Sequence, residues 1–353
     1  MQWRNFSLFW ILVILFNDCK DRYDIKTNRS SNSLVVSGMI SDTLEPQYLK
    51  LGTTTPYQKD IDPLPEAVVS ILDENGVREY YHDVGGGKYR LDGIQVKGMK
   101  GKTYVLEIQR PEGQQYRSSA ESMPLPQATD SAYFKVTKDK VVSSEGIEVD
   151  NDNVNVFLNT KLPKTTESAF FRWGIDEVYC IIPTCIPGAI ACPPWCYIYQ
   201  EVSKLNLTVI SSVDYDHFSL NGILLQTRAI DFTFLVRHYF NVTQYSMNRK
   251  AYEYWKKVGL LTERNGSIFD TPPASVAGNI HNINDPDEQV FGYFEASPQK
   301  LTRVYVDRGL VPVELNSCDF DPSFYSLGGS RFSYCTNCYA IKGSTTARPD
   351  WFF

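Results

Sequence analysis

The sequence predicts a mainly β protein: an Ig-like β-sandwich followed by a second, larger mainly β domain with one notable helix. Three observations carry this. Short segments of alternating apolar and polar residues follow one another from Leu34 onward. Asn-Gly, Gly-Gly and Pro-Glu-Gly turn signals separate them, and only one stretch has a clear helical period. A chain of 353 residues is long enough for two domains, each with its own core.

The first domain is expected over residues 34–124. Leu34–Ile40 and Glu45–Leu51 read as its opening strands. Ala67–Asp73 is a third, ended by Glu74-Asn75-Gly76 and answered by Val77–His82. Gly85-Gly86-Gly87 turns the chain into Lys88–Leu91, and Lys102–Ile108 runs into the Pro111-Glu112-Gly113 turn. The glycine run is no phosphate loop, because it joins two strands, lacks a Lys-Ser/Thr ending and opens no helix. Pro124 and Pro126 close the unit.

The second domain is expected over residues 131–353, with strands at Val154–Leu158, Ala169–Tyr179, Leu205–Ile210 and Asp231–Tyr239. Within Asn248–Leu260, Tyr252, Trp255 and Val258/Gly259 recur at three- and four-residue spacing among Arg249, Lys250, Glu253, Lys256 and Lys257, the pattern of a half-buried helix.

The amino terminus reads as an export signal over residues 1–19. Arg4 precedes the apolar run Phe6–Phe16, too short to span a bilayer, and Cys19 follows at the position where bacterial lipoproteins are acylated. Residues 20–33 are a polar tether. The expected location is therefore the outer membrane, lipid-anchored and facing the cell surface. Asp18 is an unusual neighbour for an acylated cysteine, since a small residue commonly stands there. A net charge of −6 without a Lys/Arg block argues against nucleic-acid binding, and a mean hydropathy of −0.29 argues against a polytopic membrane protein.

Beyond Cys19 the cysteines are Cys180, Cys185, Cys192, Cys196, Cys318, Cys335 and Cys338. In an oxidising compartment they are expected to form disulfides rather than a zinc site, with one thiol left over and the pairing open. The Pro-rich stretch from Cys180 to Cys196 is expected to be loop, and at least two bridges are expected, at least one of them joining it to the carboxyl-terminal cysteines.

No catalytic signature is legible. His82, His217, His238 and His281 stand apart, with no H-E-x-x-H and no G-x-S-x-G. Acidic residues gather at Asp150–Asn153, Asp214–Asp216 and Asp285–Glu288, the expected composition of turns. A hydrolase would need two of these carboxylates to face each other across a cleft. Neither a cofactor nor a metal is expected. Aromatics make up 13% of the chain, and Trp195, Tyr197, Trp351, Phe352 and Phe353 are the candidate partner or ligand contacts. The terminal Trp-Phe-Phe is expected to dock on the fold or on a partner.

Several segments together resemble one family. They are Tyr245–Lys256 (YSMNRKAYEYWK), Gly266–Ala274, Gly278-Asn279-Ile-His-Asn282, Asp285-Pro286 and Gly292-Tyr293-Phe294, then Cys335-x-x-Cys338 and Gly343–Phe352. With Gly38, Gly101–Tyr104 and Tyr116 in the amino half, the order is similar to the Bacteroidota lipoprotein family called domain of unknown function 4249. The extra cysteines Cys185 and Cys192 depart from its pattern. The resemblance implies a lipoprotein that serves a TonB-dependent outer-membrane transporter, without enzymatic activity and without catalytic residues to transfer. Asp42-Thr43-Leu44 and Asp130-Ser131-Ala132 also resemble an O-glycosylation sequon of exported proteins from that phylum. The expected function is a non-enzymatic binding accessory of a nutrient transporter. The alternatives are a carboxylate-dependent hydrolase on the secreted side, using Asp214–Asp216 with His217 or Asp285–Glu288, or an adhesin or structural surface protein.

Overall fold

The computed structural model describes residues 32–55, 61–125, 127–142, 146–164, 168–183, 192, 194–201, 207–263, 276–311, 341 and 343–353. The expected signal segment, Cys19, and the tether up to residue 31 lie outside the described residues. The chain is mainly β, as expected. Its first ten strands are β1 (Leu34–Ile40), β2 (Gln47–Thr54), β3 (Ile61–Pro63), β4 (Val68–Asp73), β5 (Arg78–Tyr80), β6 (His82–Asp83), β7 (Lys88–Leu91), β8 (Thr103–Gln109), β9 (Gln115–Ser118) and β10 (Glu121–Ser122). Then come β11 (Thr129–Val142), β12 (Glu148–Lys161), β13 (Phe170–Ile181), β14 (Cys196–Glu201), β15 (Thr208–Ser211), β16 (Ser219–Ala229) and β17 (Arg237–Met247). Helix α1 (Arg249–Glu263) follows, and β18 (Ile280–Asn282), β19 (Phe291–Ala296), β20 (Gln299–Asp307) and β21 (Ser344–Thr345) complete the described elements.

Two sandwiches result. In the first, one sheet runs β19-β1-β2-β7-β6 with β3 on β2, and the other runs β18-β9-β8-β4-β5 with β10 on β8. Leu34, Val36, Leu49 and Tyr89 from one sheet share a core with Val69, Ile71, Leu106 and Tyr116 from the other. Alternate residues of β8 are buried, which is the period-two pattern that made it legible. In the second sandwich, β11-β12-β16 faces β20-β17-β13-β14-β21, with β15 also on β13. Val154, Val156 and Leu158 meet Phe171, Trp173, Phe240 and Val242 in its core.

The expected partition at 34–124 and 131–353 is crossed by β18 and β19. These strands come from the second segment but pair with β9 and β1 and bury Ile280 and Phe294 in the first core. The β1–β19 pairing is parallel, which a return from across the chain permits and a hairpin does not. Gly292, at φ +92°, makes the close approach possible: a Cβ there would lie 1.8 Å from the Val36 carbonyl oxygen. Gly278 is equally confined, its Cβ position lying 1.8 Å from the Gly292 oxygen.

Two local expectations change. Asp231–Tyr239 is not one strand: the Asp231 carboxylate accepts from Thr233 N and Oγ1 at 3.0 and 2.6 Å, which commits 232–234 to a 3₁₀ turn, and β17 starts only at Arg237. Asp150–Asn153 is not a turn but lies inside β12. There the Lys138–Asp150 and Lys140–Glu148 ion pairs, at 3.2 and 3.1 Å, offset the low strand propensity of the acids across the β11–β12 ribbon. The expected helix is present, and Asn248 caps it by accepting from Ala251 N at 2.9 Å.

Helix α1 is packed where the sandwiches meet. Arg172 of β13 lies between the rings of Tyr245 and Trp255, 4.1 and 4.4 Å from their centroids. Its guanidinium donates to Glu295 of β19 at 3.1 Å, and Trp255 Nε1 donates to the same carboxylate at 2.6 Å. Glu121 accepts from Asn248 and Asn279 at 2.6 and 3.0 Å. Two strands of each sandwich, β13 and β17 of the second and β10 and β19 of the first, thus share one polar joint with the helix and with Asn279 ahead of β18.

Candidate functional site

Outside that joint, the second sandwich presents one sheet face on which aromatic and arginine side chains converge. Successive residues of a strand point to opposite faces, so register decides who meets whom. Val178, Tyr239 and Tyr305 are aligned across β13, β17 and β20, and so are Asp176, Asn241 and Arg303. Helix α1 covers one end of this face and the carboxyl-terminal segment covers the other. Ser344 and Thr345 pair with Ile198 and Tyr197 at the edge of β14. The chain then turns so that Phe352 is buried against Tyr197 and Tyr239, at 5.0 and 4.8 Å between centroids.

Arginines fasten this segment. Arg303 lies over the Trp351 ring at 4.2 Å, and Arg348 Nε donates to the Phe352 carbonyl at 2.7 Å. Arg237 pairs with Asp307 at 2.5 Å, stacks over Tyr305 at 4.6 Å and donates to the Phe353 carbonyl. What stays open between the helix and the tail is a patch of Tyr199, Leu301, Tyr305 and Phe353, from 45 to 75% exposed. Of the five candidates, Tyr197 and Phe352 are buried packing residues, Trp351 is half-buried, and Trp195 and Phe353 are exposed. Tyr199 and Tyr305 belong to the same open face and were missed, because spacing along one strand cannot tell which residues of neighbouring strands it will meet.

The cysteines divide by face. Cys180 pairs in register with Tyr197, whereas Cys196 is opposite Ile181 and so points to the other side of the sheet. Cys180 is a free thiol in the apolar cluster of Val178, Tyr197, Tyr239 and Phe352, which removes it from the disulfide candidates. Burial pushes its pKa up to about 12, so it is no nucleophile at neutral pH. Cys192 and Cys196 each take part in a disulfide. Cys185, Cys318, Cys335 and Cys338 lie outside the described residues.

Asp214, Asp216 and His217 are exposed, with Asp214 accepting from Tyr252 Oη at 3.2 Å. Around Asp285–Glu288, Asn282 Oδ1 accepts from Asn284 N at 2.8 Å in an Asx turn, and Glu288 accepts from Tyr116 Oη at 2.9 Å. Among the histidines, only His238 has a charged partner in the core. Its Nε2 lies 3.2 Å from Glu177 Oε2, which also accepts from Arg228 Nε at 3.1 Å. Phe234 and Tyr179 stack on the imidazole from both sides, at 4.2 and 5.5 Å. His238 and Glu177 are buried, and Arg228 reaches them from the half-exposed side. Among the described residues no group of three or more His, Cys, Asp or Glu side chains could hold a metal ion, and no helix is long and apolar enough to cross a membrane.

Three of the quoted segments meet at the joint, through Asn248 and Trp255, through Asn279, and through Tyr293 against Tyr254. The family model described as Domain of unknown function (DUF4249) matches residues 20–303. The chain belongs to the DUF4249 family. The match takes in both sandwiches of the DUF4249 chain and ends within β20, short of the tail that docks on the aromatic face. No curated protein and no solved structure matches.

Proposed function

We propose that this DUF4249 chain is an outer-membrane surface lipoprotein, anchored through Cys19, that binds a TonB-dependent nutrient transporter and has no catalytic activity of its own. The observation that supports this most is the open face of the second sandwich, where Tyr199, Leu301, Tyr305 and Phe353 are exposed around Arg237, Arg303 and Arg348. Aromatic and arginine enrichment is the composition of protein-interface cores, where rigid rings contribute area at low entropy cost. The anchor fixes which partner is within reach. Fourteen residues separate Cys19 from Leu34, and fully extended they span at most about 50 Å. A tethered molecule therefore meets proteins of its own membrane at high effective concentration. Cys180 and Cys196 lie in β13 and β14 rather than in a loop, and disulfides from Cys185, Cys192 or Cys196 to the carboxyl-terminal cysteines would hold the tail, and with it Phe353, in position on this face.

Purification of the native protein in mild detergent tests the reading. A β-barrel transporter should accompany the wild-type chain and be lost with Tyr305→Ala combined with Arg303→Ala. Recovery of the chain alone, or of an extracellular ligand with no barrel, overturns the transporter reading; the second result favours an adhesin.

A further inference from the structure

A separate feature lies on the first sandwich, away from the aromatic face. Where the β8–β9 turn meets the segment after β18, a cleft of about 390 Å³ is lined by Asn32, Arg110, Glu112, Gln114, Tyr116 and Glu288. That volume is within the range of small-molecule sites. Its walls are fixed by the backbone: Gly113 N and Arg110 N close the turn at 2.9 Å each, and Ile283 N donates to the Gln115 carbonyl at 2.8 Å. We infer that this cleft binds a neutral polyhydroxylated molecule, a mono- or disaccharide.

The charges decide the ligand class. The Arg110 side chain is 11% exposed, and its Nε lies 3.3 Å from Glu112 Oε2. That contact lacks hydrogen-bond alignment, so the buried Nε–H has no acceptor among the described residues. Arg110 Nη1 is spent on the Asn32 carbonyl at 3.2 Å. Each Glu288 oxygen already takes one donor, from Tyr116 Oη and from Asn282 Nδ2, and retains capacity for a second. An anion entering here meets two carboxylates, and an ammonium group meets a guanidinium. A hydroxyl meets neither penalty, since it can donate to a glutamate while accepting from Arg110 or from the amides of Asn32 and Gln114. The mixture of fixed donors and acceptors with little net charge is complementary to adjacent hydroxyls on a sugar ring.

The test is ligand-observed NMR on the full mature chain with glucose, galactose, mannose, maltose and cellobiose. Glucosamine and glucuronate serve as charged analogues on the same ring. At least one neutral sugar should bind in the millimolar range, with both charged analogues weaker. Glu112→Gln and Gln114→Ala, both at a surface turn, should leave the thermal melt unchanged and weaken binding about tenfold, or about 1.4 kcal/mol. Absence of binding by every neutral sugar, tighter binding of a charged analogue, or unchanged affinity in both folded variants would overturn the inference. None of these results bears on the transporter, which is proposed to meet the other sandwich.

Discussion

The two sandwiches bury carboxylates by different means. In the first, Glu79 is buried, and it accepts from three consecutive backbone amides, Ile94, Gln95 and Val96, at 3.0, 2.7 and 2.7 Å. In the second, Glu177 is 1% exposed and is satisfied by side chains that can carry charge, Arg228 and His238. Both arrangements meet the rule that a buried polar group must be paired. They differ in what a change exposes. Removing Glu79 leaves three neutral amides unpaired, whereas removing Glu177 takes from Arg228 and His238 the carboxylate they share.

The comparison is sharpest at the joint, which has the second sandwich's style of pairing but belongs to both. Glu295→Ala removes the acceptor of Arg172 and Trp255 at once, so the largest loss is expected there, about 3–5 kcal/mol in urea unfolding. Glu177→Ala should cost a similar amount or slightly less, because Arg228 keeps Asp231 at 3.0 Å. Glu79→Ala should cost about 1–3 kcal/mol, the penalty of unpaired neutral groups. If the Glu79 variant proves the most damaging of the three, the contrast between the sandwiches fails.

Acid unfolding sharpens the same contrast. Burial alone would raise the Glu177 pKa, but His238, 3.2 Å away, and the charge of Arg228 outweigh it and hold the group below its ordinary 4.5. A depressed carboxylate contributes stability that is complete above its unfolded pKa and is lost as the pH falls through the folded one. The urea midpoint should therefore drop as pH is lowered below about 5, and Glu177→Gln should flatten that part of the curve. An unchanged slope in the variant would assign the acid sensitivity elsewhere.

The smallest effect on stability is expected on the open face. Tyr305→Ala removes a half-exposed ring and should shift unfolding by about 0.5 kcal/mol or less, measured against wild type in the same urea series. A larger loss would mean that Tyr305 supports the tail through Tyr239 more than it offers surface to a partner.

Most strands were legible because one face of each is buried and the alternation survives in the sequence, as in β1, β4 and β8. The exceptions have physical causes. β18 and β19 are short, and each completes one of the two sheets of the first sandwich from far along the chain, a pairing that no local pattern encodes. The acidic stretch of β12 has poor strand propensity, and only the lysines of β11 opposite it make a strand tolerable there. The site was half legible. Aromatic abundance and the terminal Trp-Phe-Phe pointed to the tail, but Tyr199, Tyr305 and their arginines become neighbours only through the register of β13, β14, β17 and β20. Glu288 stood out as part of an acidic turn, yet its place in a cleft with Arg110 depends on β18 pairing with β9.

The central claim is that the open aromatic–arginine face, and not the buried machinery, is what this protein presents to its membrane partner. Quantitative co-purification of wild type against the Arg303→Ala/Tyr305→Ala double variant tests it most directly, with urea unfolding of both as the control for folding. The account predicts that the wild type retains an outer-membrane β-barrel transporter, while the variant loses it and keeps a native unfolding midpoint. A natively folded variant that retains the barrel as well as the wild type does would contradict it.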